Sequence, residues 1–179
     1  MPTGIDLWIM IETPLSVLRL DQIAGAGAPL AALMLGVNDF GEQMNLVLGP
    51  DRDPLTPWLA ALVAAARGHG LLAIDGVVNA TDDADRLRTE CLQGRAFGFD
   101  GKSLIHPAQI EAANAAFSPS PEEVARAREV VAAFAAADAQ GKGAIRVGYR
   151  MVERLHLDAA HRLLARHEAA STRPGVRPI

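Results

Sequence analysis

Four short apolar runs punctuate the first two thirds of the chain, and each ends on polar residues. Leu7-Trp8-Ile9-Met10-Ile11 stops at Glu12, and Ala31 to Gly36 runs into Val37-Asn38-Asp39-Phe40. Leu71 to Ile74 stops at Asp75-Gly76, and Phe97 to Ile105, interrupted by Gly98 and Gly101, stops at His106-Pro107. Segments with helical signals lie between them. One follows Thr13-Pro14, with Leu15, Leu18 and Ile23 apolar, and closes at Gly25-Ala26-Gly27. A polar, glycine-containing loop is expected after Phe40. Asp53-Pro54 opens a helix to about His69, with Gly68 and Gly70 as stop signals, and Asp82 or Asp83 opens another to about Ala96. His106-Pro107 begins the next, with proline placed in a first turn. Short strands that are apolar throughout, alternating with helices, predict βα units on a parallel sheet buried on both faces.

After Phe117 the pattern changes. Ser118-Pro119-Ser120-Pro121 is a linker leading into an alanine-rich helix, with Ser120 as its N-cap, that reaches about Gln140 and ends at Gly141-Lys142-Gly143. Ala144 to Val147 reads as a short strand and Leu155 to about Ala169 as a last helix. The expected organisation is a βα portion over 1–117, a helical extension over 118–170, and a flexible tail over 171–179.

Composition adds limits. Half of the 179 residues are hydrophobic and 21% are charged, an ordinary globular balance, and the net charge of −4 argues against nucleic acid as partner. The single cysteine, Cys91, excludes an internal disulfide framework and points to a reducing, cytoplasmic setting. No apolar run approaches the ~20 residues that span a membrane, and the N-terminus carries no secretion signal.

The chemistry sits at the strand ends. In parallel α/β folds reactive groups gather at the C-terminal ends of strands. Glu12 ends the first run, Asp39 follows the second and Asp75 ends the third. Neighbouring strands lie roughly 4.8 Å apart, so carboxylates on adjacent strands can converge on one hard cation such as Mg²⁺. The bland reading is that each acid caps the following helix; two acids in register on consecutive strands favour the metal.

These segments resemble the citrate lyase β-subunit-like (malyl-CoA lyase-like) family of HpcH/HpaI aldolases. Met10-Ile11-Glu12-Thr13-Pro14, Gly36-Val37-Asn38-Asp39-Phe40 and Ala73-Ile74-Asp75-Gly76-Val77 each match a family segment. The longest and most specific match is Gly98-Phe99-Asp100-Gly101-Lys102-Ser103-Leu104-Ile105-His106-Pro107-Ala108-Gln109-Ile110, continuing through Asn114-Ala115-Ala116-Phe117-Ser118-Pro119. The resemblance covers about Ile5 to Leu164. It implies a TIM (β/α)₈ barrel with a C-terminal helical extension, Mg²⁺ held by Glu12 and Asp39, and cleavage or formation of 2-hydroxyacyl-CoA thioesters of the malyl-CoA type through an enolate. In the family the extension covers a neighbouring subunit's active site and brings an aspartate. The matching segment here, Gly148-Tyr149-Arg150-Met151-Val152-Glu153, carries Glu153 instead.

Other residues keep two readings. Lys102 meets a coenzyme phosphate or extends from its strand end. His106 contacts substrate or coenzyme, or orients its loop. Asp75 shapes the coenzyme pocket or caps a turn. Gly98 and Gly101 serve strand geometry. Cys91 is a small core residue, His156, His161 and His167 are surface groups, and Arg86, Arg88 and Arg95 form a solvated face.

Only four of the family's eight βα units are visible, matching the second half of the barrel. A half barrel has two unpaired strand edges, so a homo-oligomer, or a partner chain supplying the other half, is expected. The competing functional readings are a non-catalytic assembly fragment and a class II pyruvate aldolase.

Overall fold

The computed structural model describes residues 4–49, 51–136, 141 and 143–172. The chain divides between Phe117 and Ser118 into two compact units. In the first, β1 (Leu7–Ile11), β2 (Leu30–Leu35), β3 (Leu72–Asp75) and β4 (Gly101–Lys102) form one sheet in the order β1-β2-β3-β4, every pair parallel. The helices between and after them are α1 (Pro14–Leu18), α2 (Leu20–Ala24), α3 (Val37–Gln43), α4 (Thr56–Gly68), α5 (Ala84–Phe97) and α6 (Ile110–Phe117). A crossover of constant hand that always advances in one direction leaves its helices on one face of the sheet. The strand order follows the sequence order without reversal.

The faces differ accordingly. Ile11, Leu33, Leu35 and Ala73 pack with Phe40, Leu55, Leu59, Leu62 and Ala66 in the main core, on the helix side. The opposite face carries Trp8, 54% exposed, in register with Ala32 and Leu72, the latter 43% exposed. Met10, 45% exposed, continues that face beside Met34 and Ile74. The expectation that both faces are buried is therefore met on one face only, because among the described residues no layer covers the other.

Element bounds also shift. The helix expected after Thr13 is two, broken at Arg19. The segment after Phe40 continues α3 as far as Gln43 before the loop begins. A single 3₁₀ turn, Asp53–Leu55, precedes α4. The fourth strand shrinks to two residues because Gly98, at φ +98°, closes α5 and the ladder starts only after Asp100. Asp100 clamps that turn: its Oδ2 accepts from Arg67 Nη1 at 2.8 Å and from the Ala73 amide at 2.9 Å.

The second unit contains α7 (Pro121–Ala135), the antiparallel hairpin β5 (Ala144–Val147) and β6 (Arg150–Glu153), and α8 (Arg154–Thr172). The strand β6 has no counterpart in the sequence reading. Ser120 caps α7 in a reciprocal box with Glu123, and its hydroxyl, bonded to Glu122, holds that carboxyl below its usual range. Residues 137–140, Lys142 and the expected tail from 173 onward lie outside the described residues. Among the described residues no helix is long and apolar enough to cross a membrane.

Candidate functional site

The first carboxylate follows β1 directly. Ile11 faces the helix core, so by strand alternation Glu12 faces the opposite side, in line with Trp8 and Met10. Its backbone is fixed from both sides. The Ile11 carbonyl accepts from the Gly36 amide at 2.9 Å, and Thr13 caps α1 in a reciprocal box with Ser16. Gly36 lies beside the Glu12 side chain: a Cβ there would sit 2.6 Å from Glu12 Cβ and 3.1 Å from Oε2. Glycine thus leaves the Glu12 carboxylate its space.

Asp39 stands in the first turn of α3, on the neighbouring strand's exit, and is exposed. Among the described residues neither the half-buried Glu12 nor Asp39 makes a side-chain hydrogen bond or ion pair. No group of three or more His, Cys, Asp or Glu converges there. Two free carboxylates at adjacent strand ends suit Mg²⁺, which keeps waters and substrate in its other positions and needs only one or two protein carboxylates.

Asp75 and Lys102 lie elsewhere. Their side chains turn to the helix side and are fully buried in an ionic cluster under α5. Lys102 Nζ reaches Asp75 Oδ2 at 2.8 Å and Glu90 Oε2 at 3.5 Å. Arg52 Nη1 donates to both Asp75 oxygens at 3.0 and 3.1 Å, its Nε to Gln93 Oε1 at 2.9 Å, and its Nη2 to the Glu90 carbonyl. The four charges balance, as buried charges must. Lys102 thus spends its ammonium on Asp75 and Glu90 rather than presenting it to solvent. Asp75 also accepts from the Gly76 amide at 2.8 Å. Cys91 is buried beside this cluster; burial pushes its thiol above the ordinary value, with Lys102 opposing.

The loops beyond the strands are tied by neutral amides. His106 Nδ1 accepts from the Ala108 amide at 3.2 Å, so that nitrogen orients the turn into α6 while the ring stays exposed. Buried Gln109 accepts from the Ile105 amide at 3.1 Å and donates to the Val78 carbonyl at 3.0 Å. Asn79 and Asn38 exchange reciprocal amide bonds at 2.7 and 3.2 Å. Glu153 belongs to the second unit, exposed at the end of β6, with its amide donating to His156 Nδ1 at 2.9 Å. The arginines expected on one solvated face divide: Arg86 pairs with Glu90, Arg95 donates to the Ala116 carbonyl, and Arg88 is exposed.

Sequence reasoning passed over Arg52, Glu90, Gln109 and the two asparagines. Glu90 was the most readable of them. With Leu87, Cys91 and Gly94 it occupies one helical stripe, and a carboxylate on a buried stripe calls for cations nearby. Arg52 sits in a loop rich in Gly, Pro and Asp, where a charge looks solvated, and nothing local signals its burial.

Comparison with known proteins fits this geometry. The pattern that defines the HpcH/HpaI aldolase/citrate lyase family matches residues 2–107. A (3S)-malyl-CoA thioesterase of Cereibacter sphaeroides is 45% identical over 92% of this chain and 58% of its own length. An L-malyl-CoA/beta-methylmalyl-CoA lyase of Rhodobacter capsulatus is 33% identical over 93% of this chain and 58% of its own. Among solved structures, CitE from Mycobacterium tuberculosis, in complex with magnesium, acetoacetate and coenzyme A, superposes with a TM-score of 0.75 at 29% identity. That match covers 93% of this chain and 62% of CitE. The chain therefore spans somewhat over half the length of these relatives.

Proposed function

This chain belongs to the HpcH/HpaI aldolase/citrate lyase family, and on that premise we propose that it carries the metal-binding part of an enzyme acting on a malyl-CoA-type thioester. The observation that carries the reading is the pair of unpartnered carboxylates, Glu12 and Asp39, at the exits of adjacent parallel strands. Asp75 and Lys102, at the next two strands, are spent on each other, on Arg52 and on Glu90. The magnesium in the CitE complex supports the same assignment. Glu12 and Asp39 would hold the Mg²⁺, which when bound supplies positive charge to substrate oxygens where negative charge develops.

The chain's own groups divide the remaining work. Glu153 is the candidate acid–base group, one methylene longer than the aspartate of the resembling segment, so its reach decides its competence. His106, with Nδ1 committed to its turn, has Nε2 left to meet substrate or coenzyme. Asp75 and Lys102 act from beneath, by fixing the strand ends from which the loops spring.

Two bonds of a malyl-CoA thioester can break. In carbon–carbon cleavage the substrate hydroxyl loses its proton and becomes the aldehyde of glyoxylate, while the enolate left on the thioester takes a proton to give acetyl-CoA. In hydrolysis water adds to the thioester carbonyl and the carbon–sulfur bond breaks, giving malate and free coenzyme A thiol. The 45% identity to a thioesterase, against 33% to the lyase, favours hydrolysis as a second reading beside the family's lyase chemistry.

The apolar sheet face of Trp8, Met10 and Leu72 calls for a covering layer. We assign it to further βα units completing a barrel, which for this chain on its own a second copy would supply. One preparation tests both points. Incubated with malyl-CoA and Mg²⁺, it is expected to release glyoxylate or free thiol, and to scatter light as a dimer or larger at micromolar concentration. Neither product from a self-associated particle would overturn the catalytic reading for this chain, and a compact monomer would overturn the second-copy arrangement.

A further inference from the structure

We propose that Asn79, acting through Asn38, is a positioning residue for Asp39, the end of an all-amide relay that runs across the loops following β4, β3 and β2. The inference rests on the metal reading of Asp39 given above. The relay starts at Gln109, whose side-chain amide is buried and satisfied at both ends: its oxygen takes the Ile105 amide and its nitrogen gives to the Val78 carbonyl. Val78 is itself buried in the cluster with Leu87, Cys91, Ala113 and Ala116, so the backbone leading into Asn79 is fixed twice. Asn79 then closes the reciprocal pair with Asn38, 41 positions away in sequence.

Asn38 is the residue before Asp39 in the first turn of α3. That turn lacks the usual restraint, because its N-cap is Gly36, which has no side chain with which to cap it. The helix has only seven residues, so its own hydrogen bonds hold it weakly. The Asn38–Asn79 pair therefore supplies a tether between the strand-end loops at the point where Asp39 leaves the helix. Amides suit the task chemically. They form two directional bonds, carry no charge to repel or compete for a cation, and do not titrate.

The test is Mn²⁺ binding, read by the loss of the free-ion electron paramagnetic resonance signal, on the intact chain and on Asn79→Ala, Asn38→Ala and the double variant. Thermal midpoints are measured alongside. The expected result is that each single change weakens Mn²⁺ binding by roughly fivefold, the worth of one net hydrogen bond. The double variant should lose no more than either single one, and thermal midpoints should stay within about 2 °C of the parent, since both side chains are exposed. Unchanged affinity in Asn79→Ala, or losses that multiply in the double variant, would overturn the relay while leaving the metal site standing. Multiplied losses would mean that Asn38 acts on the cation by itself. Absence of saturable Mn²⁺ binding in the parent chain would overturn the metal reading and the relay with it.

Discussion

Replacing Asp75 with alanine is expected to lower the stability of the first unit by about 3–5 kcal/mol, the usual loss when one partner of a buried ion pair is removed. Asp75 is fully buried and receives both Arg52 and Lys102. Without it, Arg52 and Lys102 share with Arg86 the single charge of Glu90, whose Oε2 already lacks a hydrogen-bond partner among the described residues. The cluster would hold uncompensated positive charge in a low-dielectric setting. The alanine also frees the Gly76 amide that Asp75 accepts from. Urea denaturation reads the effect as a fall in midpoint. The paired change Asp75→Leu with Lys102→Met removes one charge of each sign and should recover much of the loss, because apolar replacement of a whole buried pair is often neutral. A loss below about 1 kcal/mol for Asp75→Ala would show instead that the pair behaves like a solvent-exposed one.

The second large effect is steric. Gly76→Ala would place a methyl group in overlap with Val37 Cγ1 and 2.7 Å from the Leu35 carbonyl oxygen. Leu35 and Val37 flank Gly36 where β2 turns into α3, so relief requires backbone to move and not merely a rotamer change. Overpacking of this kind costs roughly 1–3 kcal/mol, and a backbone neighbour places it at the upper end. The shift would be felt two residues beyond Val37, at Asp39, so cation affinity should fall together with the melting temperature. Gly41→Ala is the control: its added methyl would meet Leu48 Cδ1 at 3.5 Å, an ordinary contact, in a helix that favours alanine. A melting temperature for Gly76→Ala equal to that of Gly41→Ala would show that the strand ends are loosely packed.

The parallel βα order was legible because it rests on local signals. Apolar runs, glycine stops and proline starts place the strands, and the ends of the first two place Glu12 and Asp39 at neighbouring exits. The strand alternation that separates Glu12 from Ile11 was equally available. The direction of Asp75 was not, because it depends on partners 23 and 27 positions away, Arg52 and Lys102, that no local pattern connects. The same holds for the Asn38–Asn79 pair. The exposed sheet face was misread for a different reason. The runs are apolar on both sides, as in a sheet covered twice, but the helices of this order cover one side, so the sequence encodes a surface that the described residues do not cover.

The most direct measurement is Mn²⁺ or Mg²⁺ binding by calorimetry on this chain, on Glu12→Ala and on Asp39→Ala. The account predicts one saturable site in the parent, lost in each variant and strengthened when acetyl-CoA and glyoxylate are present. No saturable binding in the parent, or a site that survives both substitutions, would contradict it.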